Sequence, residues 1–221
     1  LFEDNAEFGF GINASMNVQR SKLKTKAENV IAKYNKNASS LPQVNKEFID
    51  ALSKWVETFS DGESNKLATD KLQALIDKLQ VDKACQDEDL CEIVTGRDNL
   101  VKQCIWILGG DGWAYDIGFG GLDHVLASGQ DVNVLVIDTN VYSNTGGQKS
   151  KATPIGAVAK FAAGGNMVPP KDLARIFMSY NNVYCASVSL GYDAAQTITA
   201  IKEAESYNGP SLVVAYCPCI N

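Results

Sequence analysis

The amino-acid sequence predicts an α/β fold: a mainly parallel sheet covered by helices on both faces, with a helical insertion towards the N-terminus. Beyond residue 100, short segments that are apolar throughout alternate with helical segments, which is typical of a buried parallel sheet. Before residue 100, apolar residues recur at three- and four-residue steps, the period of helices that bury one face. We therefore expect one domain over residues 1–221, with a mainly helical part over 14–99 and an α/β core over 100–221.

Three helices are expected in the mainly helical part, and each is defined by one apolar stripe. The first covers residues 14–34, the second follows Pro42 and extends to Phe59, and the third covers residues 68–79 beyond a polar loop. Lys and Glu residues occupy the opposite faces. Such faces are usually solvated surface, so we expect no binding site there.

Four apolar strands are expected in the α/β core, over residues 104–108, 132–138, 182–188 and 212–216. A glycine-rich turn and a helix that reaches residue 128 follow the first strand, and a helix over residues 193–207 precedes the last one. Ligands of open parallel sheets bind at the carboxyl ends of the strands. The polar residues that follow the first two strands are therefore the candidates for a functional site.

Composition and charge argue against some classes of function. The 221-residue chain is 45% hydrophobic, which is enough for a substantial core, and its formal net charge is −6. Neither a basic excess nor a basic run is present, which argues against nucleic-acid and anionic-membrane partners. The apolar runs are far too short to span a bilayer. Without an initiator Met or a signal segment, both ends are expected to be cuts through a longer polypeptide.

The six cysteines do not follow the pattern of a small disulfide-stapled protein. Cys104 and Cys185 lie in apolar runs and are expected to be reduced core residues, which indicates a reducing compartment. Cys85 and Cys91 flank an acidic stretch. They could be a metal pair, although incidental thiols are the commoner explanation.

Three other side chains have both an ordinary and a functional explanation. His124, the single histidine, could transfer a proton, but helical phase directs it away from the strand ends, so a structural role is expected. Trp113 and Phe119 could pack near a cofactor, although core aromatics are the more common case.

A cation site is indicated by the residues after the first two strands. Asp111 stands between two glycines where the first strand meets a helix. A carboxylate is a poor phosphate ligand alone, but a hard cation such as Mg²⁺ can bridge carboxylate and phosphate oxygens. The Thr139 hydroxyl, a carbonyl near Val141 and the Asn144 side chain follow the second strand and can supply further oxygens.

Phosphate binding is indicated by the glycines of both segments. Glycine lets the backbone approach a phosphate, a helix N-terminus favours negative charge, and residues 144–147 form an amide-rich turn able to wrap a diphosphate. Either segment alone could be an ordinary turn. A dinucleotide site fits less well, because residues 110–112 lack the third glycine and place a carboxylate where amides are needed. A noncatalytic nucleotide-binding module remains an alternative.

Residues 110–112, with Asn144 about thirty residues later, resemble the motif shared by thiamine-diphosphate enzymes. Several longer strings are similar to pyruvate:ferredoxin (flavodoxin) oxidoreductases and their pyruvate:NADP relatives: residues 1–11, 110–118, 121–125, 141–148, 150–154, 156–161 and 210–220. The resemblance covers most of the chain and is weakest over residues 19–99. It implies the thiamine-diphosphate-binding fold, in a single domain cut from a longer chain.

The resemblance also implies roles for individual residues. Mg²⁺ would be held by three oxygen ligands: Asp111, Thr139 and the carbonyl of Val141. The diphosphate site would be lined by three residues: Gly110, Gly112 and Thr145. Asn144 would contact both cofactor and substrate and is the catalytic candidate.

An iron–sulfur ligand is implied by the same resemblance. Cys219, rather than the nearby Cys217, corresponds to the family's last ligand to a [4Fe–4S] cluster. The other ligands would precede the sequence, and four thiolates are the usual requirement, so this chain should not hold a cluster alone.

The implied reaction is the oxidative decarboxylation of pyruvate to acetyl-CoA and CO₂, with coenzyme A as acyl acceptor. Electrons would pass through [4Fe–4S] clusters to ferredoxin, flavodoxin or a fused flavin domain. The full-length protein would be a homodimer of the cytoplasm or a hydrogenosome-like organelle, completed by upstream domains of the same chain. The fragment by itself is expected to be inactive. Another 2-oxoacid:acceptor oxidoreductase and a non-redox thiamine-diphosphate enzyme are the alternatives.

Overall fold

The structure is a computed structural model that describes residues 5–79 and 87–219. The chain divides into two compact units, with boundaries between residues 13 and 14 and between residues 103 and 104. We call the unit of residues 14–103 the helical unit and the remainder the sheet unit. The first helix, α1, begins in the sheet unit and continues into the helical unit.

The helical unit is built from amphipathic helices with side-chain caps. The described helices are α1 (Ala6–Lys36), α2 (Lys46–Glu57), α3 (Gly62–Ile76) and α4 (Glu88–Thr95). Asn45, Asp61 and Asp87 each accept a backbone N–H three residues later, which fixes where α2, α3 and α4 begin. The three expected helices are present, although α1 begins eight residues earlier than its apolar stripe indicated. The two-turn helix α4 was not predicted.

The core of the helical unit surrounds the fully buried Trp55, Leu52 and Leu72. Arg20 is also buried there, and its guanidinium donates to the carbonyls of Leu100 at 3.3 Å and Phe59 at 3.2 Å. Burial lowers the pKa of Arg20 to about 10. The arginine thus joins segments that lie far apart in the sequence.

The sheet unit contains four parallel strands in the order β1-β2-β6-β5. The strands in chain order are β1 (Trp106–Gly110), β2 (Asn133–Asp138), β3 (Val141–Tyr142), β4 (Gln148–Lys149), β5 (Tyr184–Val188) and β6 (Ser211–Tyr216). Strands β3 and β4 form a separate antiparallel hairpin. Each of the four expected strands is present, with ends within two residues of the predicted ones.

Helices cover the sheet on both faces, which confirms the predicted fold class. A π-helical turn (Gly112–Ile117) follows β1, and the helices of this unit are α5 (Phe119–Ala127), α6 (Leu173–Met178) and α7 (Ala194–Ser206). Buried residues of α5 and α6 share one cluster with β1, β2 and β6, whereas those of α7 pack against β5 and β6 in another. The parallel register sets Gly110 beside Ile137 and Asp138 beside Tyr216, so the carboxyl ends of these strands meet at one edge.

The cysteines depart from expectation in two ways. Cys104 and Cys185 are free thiols, but Cys104 precedes β1 and is exposed, so its assignment to the core was wrong; Cys185 is half-buried. Cys91 is disulfide-bonded, so the expectation of an incidental thiol was wrong for it, and a reducing compartment gains no support. Cys85 lies outside the described residues.

Over the two stretches of chain that the structure describes, no helix has both the length and the apolar character needed to cross a bilayer.

Candidate functional site

Trp113 shapes the connection between β1 and the π-helical turn. A Cβ at Gly109 or at Gly118 would lie 2.3 Å from the Trp113 ring, so both positions must lack a side chain. Trp113 itself is buried in the core of the sheet unit, which agrees with the expectation of a core aromatic. This packing ends β1 so that the next residue, Asp111, lies at the carboxyl edge of the sheet.

Asp111 is 2% exposed, and its two carboxylate oxygens have different partners. The Thr139 hydroxyl donates to Oδ1 at 3.2 Å, and the Ser150 hydroxyl donates to Oδ2 at 2.7 Å. Burial raises the pKa of Asp111, while the hydrogen bonds from Ser150, Gly112 and Thr139 act in the opposite direction. No basic side chain in the described part of the chain forms an ion pair with Asp111.

Three oxygens at this edge fit a small hard cation. The Thr139 Oγ1 atom lies 2.9 Å from the carbonyl oxygen of Val141 and 3.2 Å from Oδ1 of Asp111. An octahedral Mg²⁺ with ligands at about 2.1 Å separates adjacent ligand oxygens by about 3.0 Å. A buried carboxylate without a cationic partner is also costly, which the cation would relieve. The structure therefore brings together the three residues predicted to bind Mg²⁺, in a spacing that this ion accepts.

The turn after β2 directs Thr139 and Val141 towards Asp111. Asp138 accepts both the backbone N–H of Asn140, at 3.1 Å, and its side-chain N–H, at 3.0 Å. Asn140 adopts φ +64°, a left-handed conformation that asparagine tolerates better than most residues. The Tyr115 hydroxyl donates to the other oxygen of Asp138 at 2.8 Å. Burial, followed by the charge of Asp138 and this bond, raises the pKa of Tyr115.

The β3–β4 hairpin carries the turn predicted to bind the diphosphate. Gly146 and Gly147 have φ +111° and +82°, which only glycine adopts freely. The Thr145 hydroxyl donates to the Gln148 side chain at 2.6 Å, and the Gln148 amide donates to the Thr145 carbonyl at 2.8 Å. Asn144 and Thr145 are both exposed on this turn.

Gly112 and Gly110 differ in their surroundings. A Cβ at Gly112 would lie 2.2 Å from the Tyr142 ring, so the absence of a side chain lets the hairpin pack on the start of the π-helical turn. A Cβ at Gly110 would meet open space. The Tyr142 ring thus brings Gly112 against β3. The roles of Asn144, Thr145 and Gly110 stay predictions.

The segment after β6 runs beside the same edge. The backbone N–H of Cys217 donates to the Asp138 carbonyl at 2.9 Å, and that of Cys219 donates to the Thr139 carbonyl at 3.1 Å. Cys219 is a half-buried free thiol, whereas Cys217 is exposed. Within residues 5–79 and 87–219, no three His, Cys, Asp or Glu side chains are grouped to hold a metal. A cluster at Cys219 would therefore need further ligands.

His124 and Phe119 are not part of this edge. His124 is exposed on α5, with its ring 6.3 Å from that of Phe10, in agreement with the expected structural position. Phe119 packs on Phe177 and lies 3.7 Å beneath the ammonium of Lys171, which donates to the Tyr115 carbonyl at 2.5 Å. These contacts are structural.

A cavity of about 550 Å³ adjoins the turn after β2. Its lining includes Tyr115, Asp138 and Asn140 from the site, with Lys171 and Tyr216 on other sides. Four residues of the site were not predicted from the sequence: Tyr115, Asp138, Asn140 and Ser150. Asp138 and Asn140 could have been found, because an Asp at the end of a strand followed shortly by an Asn is typical of a turn held by side-chain hydrogen bonds.

Comparison with known proteins gives a consistent result. Residues 98–215 match the family model described as "Thiamine pyrophosphate enzyme, C-terminal TPP binding domain". Over its whole length the chain is 50% identical to "Pyruvate-flavodoxin oxidoreductase" of Klebsiella pneumoniae and 49% identical to "Pyruvate:ferredoxin oxidoreductase" of Moorella thermoacetica. It is 43% identical to "Pyruvate dehydrogenase [NADP(+)]" of Cryptosporidium parvum. The chain spans 18%, 18% and 12% of these relatives, respectively.

Proposed function

Since this chain belongs to the thiamine pyrophosphate enzyme family, we propose that it holds thiamine diphosphate and Mg²⁺ in a 2-oxoacid oxidoreductase. The observation that carries this proposal is the group of three oxygens from Asp111, Thr139 and Val141 at one edge of the sheet. For the full-length protein we propose the oxidative decarboxylation of pyruvate to acetyl-CoA and CO₂, as the names of the similar proteins suggest.

In this proposal the residues of the edge anchor the cofactor by its diphosphate. Asp111, Thr139 and the Val141 carbonyl would hold Mg²⁺, which would supply positive charge against the diphosphate. Backbone N–H groups of the glycine turn after Thr145 face the same diphosphate, and Asn144 contacts cofactor and substrate. Thiamine diphosphate, when bound, supplies the electron sink that loss of CO₂ from a 2-oxoacid requires.

The burial of Asp111 affects both its protonation state and the strength of its interaction with the proposed cation. Burial favours the neutral carboxyl, whereas a cation at Oδ1 favours the ionised form. The bound cation therefore keeps the carboxylate charged in surroundings that exclude water. In water the same carboxylate would interact more weakly with the ion.

We also propose that Cys219 is one ligand of a [4Fe–4S] cluster whose other ligands belong to upstream domains of the same longer chain. Its backbone bond to Thr139 supports this, because it fixes the Cys219 main chain beside a residue proposed to bind the cation. Electrons would leave through [4Fe–4S] clusters to ferredoxin, flavodoxin or a fused flavin domain. The full-length protein would act as a homodimer in the cytoplasm or a hydrogenosome-like organelle.

Calorimetric titration of the full-length protein with thiamine diphosphate, with and without Mg²⁺, tests the anchor. We expect Mg²⁺-dependent binding that is lost in Asp111→Ala. Asp123→Asn, which alters a carboxylate bonded to Tyr180, just beyond α6, rather than to the edge, should bind normally. A folded wild-type protein that shows no Mg²⁺-dependent binding would contradict the proposal.

Substrate assays separate the rival activities. We expect reduction of a ferredoxin or flavodoxin with pyruvate and coenzyme A, and less with 2-oxoglutarate. A preference for another 2-oxoacid would retain the anchor but change the substrate. Decarboxylation without an iron–sulfur signal in the full-length protein would indicate a non-redox thiamine-diphosphate enzyme.

A further inference from the structure

The hydroxyl of Ser150 has a fixed direction. Its oxygen accepts the backbone N–H of Ala152 at 3.1 Å and lies 2.7 Å from Oδ2 of Asp111. A serine hydroxyl has one proton, and an ionised carboxylate has none to give, so the proton must point to Oδ2. Ser150 is 2% exposed, so water does not compete for this bond.

The serine is itself held by the turn that presents the other oxygens. Its backbone N–H donates to the Thr153 hydroxyl at 2.9 Å, and that hydroxyl donates to the Asn140 carbonyl at 2.6 Å. Asn140 stands between Thr139 and Val141 in the sequence. The position of Ser150 relative to the three oxygens is therefore set by hydrogen bonds on both sides.

We propose that Ser150 is a positioning residue that makes Asp111 a one-oxygen ligand and thereby favours Mg²⁺ over Ca²⁺. The inference rests on the function proposed above. Oδ2 is engaged by Ser150, whereas Oδ1 lies on the side of Thr139 and is the oxygen directed to the proposed cation.

Mg²⁺ and Ca²⁺ differ in how they coordinate a carboxylate. Mg²⁺ requires near-ideal octahedral geometry, in which a carboxylate occupies one vertex through a single oxygen. Ca²⁺ takes six to eight oxygens at longer distances and commonly uses both oxygens of one carboxylate. The hydrogen bond from Ser150 competes with binding of Ca²⁺ to Oδ2 of Asp111, so Ca²⁺ has fewer ligands at this site. The octahedral site for Mg²⁺ is unaffected.

The test measures the affinities of Mg²⁺ and Ca²⁺ for the full-length protein at saturating thiamine diphosphate, by calorimetry. In Ser150→Ala we expect Mg²⁺ affinity to fall by about tenfold, the usual effect of removing a group that orients a metal ligand. Ca²⁺ affinity should fall by less, so the ratio of the two affinities decreases. Ser150→Cys, which keeps the shape but is a weak donor, should behave in the same way.

Ser211→Ala is the matched control, because Ser211 is a buried serine at the amino end of β6 whose hydroxyl donates to the Ala204 carbonyl. It removes the same group away from Asp111, so the ratio of the two affinities should stay as in the wild type. A ratio that is unchanged in Ser150→Ala and Ser150→Cys, or that changes equally in Ser211→Ala, would overturn the role of Ser150. Absence of Mg²⁺-dependent cofactor binding in the wild type would instead overturn the proposed function.

Discussion

Individual side chains around Asp138 supply hydrogen bonds to its buried carboxyl group at the edge of the sheet. Tyr115→Phe removes the hydroxyl that donates to the 9%-exposed Asp138 at 2.8 Å. Loss of one partner from a buried acceptor costs about 1–3 kcal/mol. We expect the free energy of unfolding, measured in urea, to fall by about that amount. Tyr192→Phe, at a residue that is 91% exposed, should leave the free energy of unfolding unchanged. If both substitutions lowered it equally, the lost hydrogen bond to Asp138 would not be the cause.

The thiol of Cys104 gives a second prediction at this scale. Although Cys104 is exposed as a residue, partial desolvation of its sulfur and the nearby carboxylate of Glu205 raise the pKa of Cys104 to about 11. Burial alone raises the pKa of Cys185 to about 11. The thiolate is the reactive form, so alkylation by iodoacetamide should be slow at pH 8 and rise as the pH approaches 11. Glu205→Gln removes a negative charge and should lower the pKa of Cys104.

Peptide mass spectrometry measures both reactions in one sample. At a fixed pH between 8 and 10, Cys104 should react faster in Glu205→Gln than in the wild type. Cys185, which has no contribution from Glu205, should react at an unchanged rate and serves as the internal control. Equal acceleration at both thiols would show that the substitution loosens the fold instead.

The oxygens of Asp111, Thr139 and Val141 could be predicted from the sequence because they directly follow apolar strands, whose parallel arrangement fixes a common edge. Ser150 could not be predicted in this way. It is 39 residues from Asp111, and its approach depends on the path of a loop that no periodic pattern specifies. Cys104 was misplaced because its apolar run begins two residues before the strand does.

Among the elements, the β3–β4 hairpin depends most on special backbone conformations. Gly146 has φ +111°, and a Cβ there would lie 2.7 Å from the Lys160 ammonium. Gly146→Ala should therefore strain the turn and weaken Mg²⁺-dependent thiamine-diphosphate binding, measured by calorimetry, while the sheet stays folded. Gly164→Ala is the control, because that position has an ordinary φ and open space. Normal binding by Gly146→Ala would exclude this turn from the diphosphate site.

The long, regular elements were the ones that the sequence predicted. Strands β2 and β6 are uniform apolar runs, and α2 and α3 carry clear stripes. The short helices α4 and α6 were not predicted, since eight and six residues give too few turns for a period to be recognised. The π-helical turn after β1 depends on Trp113 filling the space beside two glycines, which is a tertiary effect.

At the scale of the whole molecule, the division into two compact units leads us to expect that the helical unit can unfold without the sheet unit. Arg20 bonds to Leu100, Phe59 and Asn65, all within the helical unit. Arg20→Leu leaves these buried acceptors with fewer partners and should cost about 2–3 kcal/mol. We expect faster hydrogen exchange over residues 14–79 and 87–103, with exchange over residues 104–219 unchanged.

Lys54→Gln is the control for this prediction, because Lys54 is exposed and its ion pair with Glu57 contributes little. Exchange that rises equally in both units of Arg20→Leu would mean that they unfold together. The sequence indicated the change of character near residue 100, but it did not indicate that residues 5–13 join the sheet unit. That grouping arises because the start of α1 packs on β1, where Gly9 faces Ile107.

The hydrogen bond from the Cys219 backbone to the Thr139 carbonyl has a consequence for how the proposed enzyme is assembled. Thr139 would be a cation ligand and Cys219 a cluster ligand. Each residue loses conformational entropy when it binds, and because their backbones are bonded, binding at one lowers the entropy still to be lost at the other. Linkage requires such an effect to be reciprocal and equal. Loading of the metal–cofactor pair should therefore promote maturation of the iron–sulfur centre, and an apoprotein deprived of either component should accept the remaining one less readily.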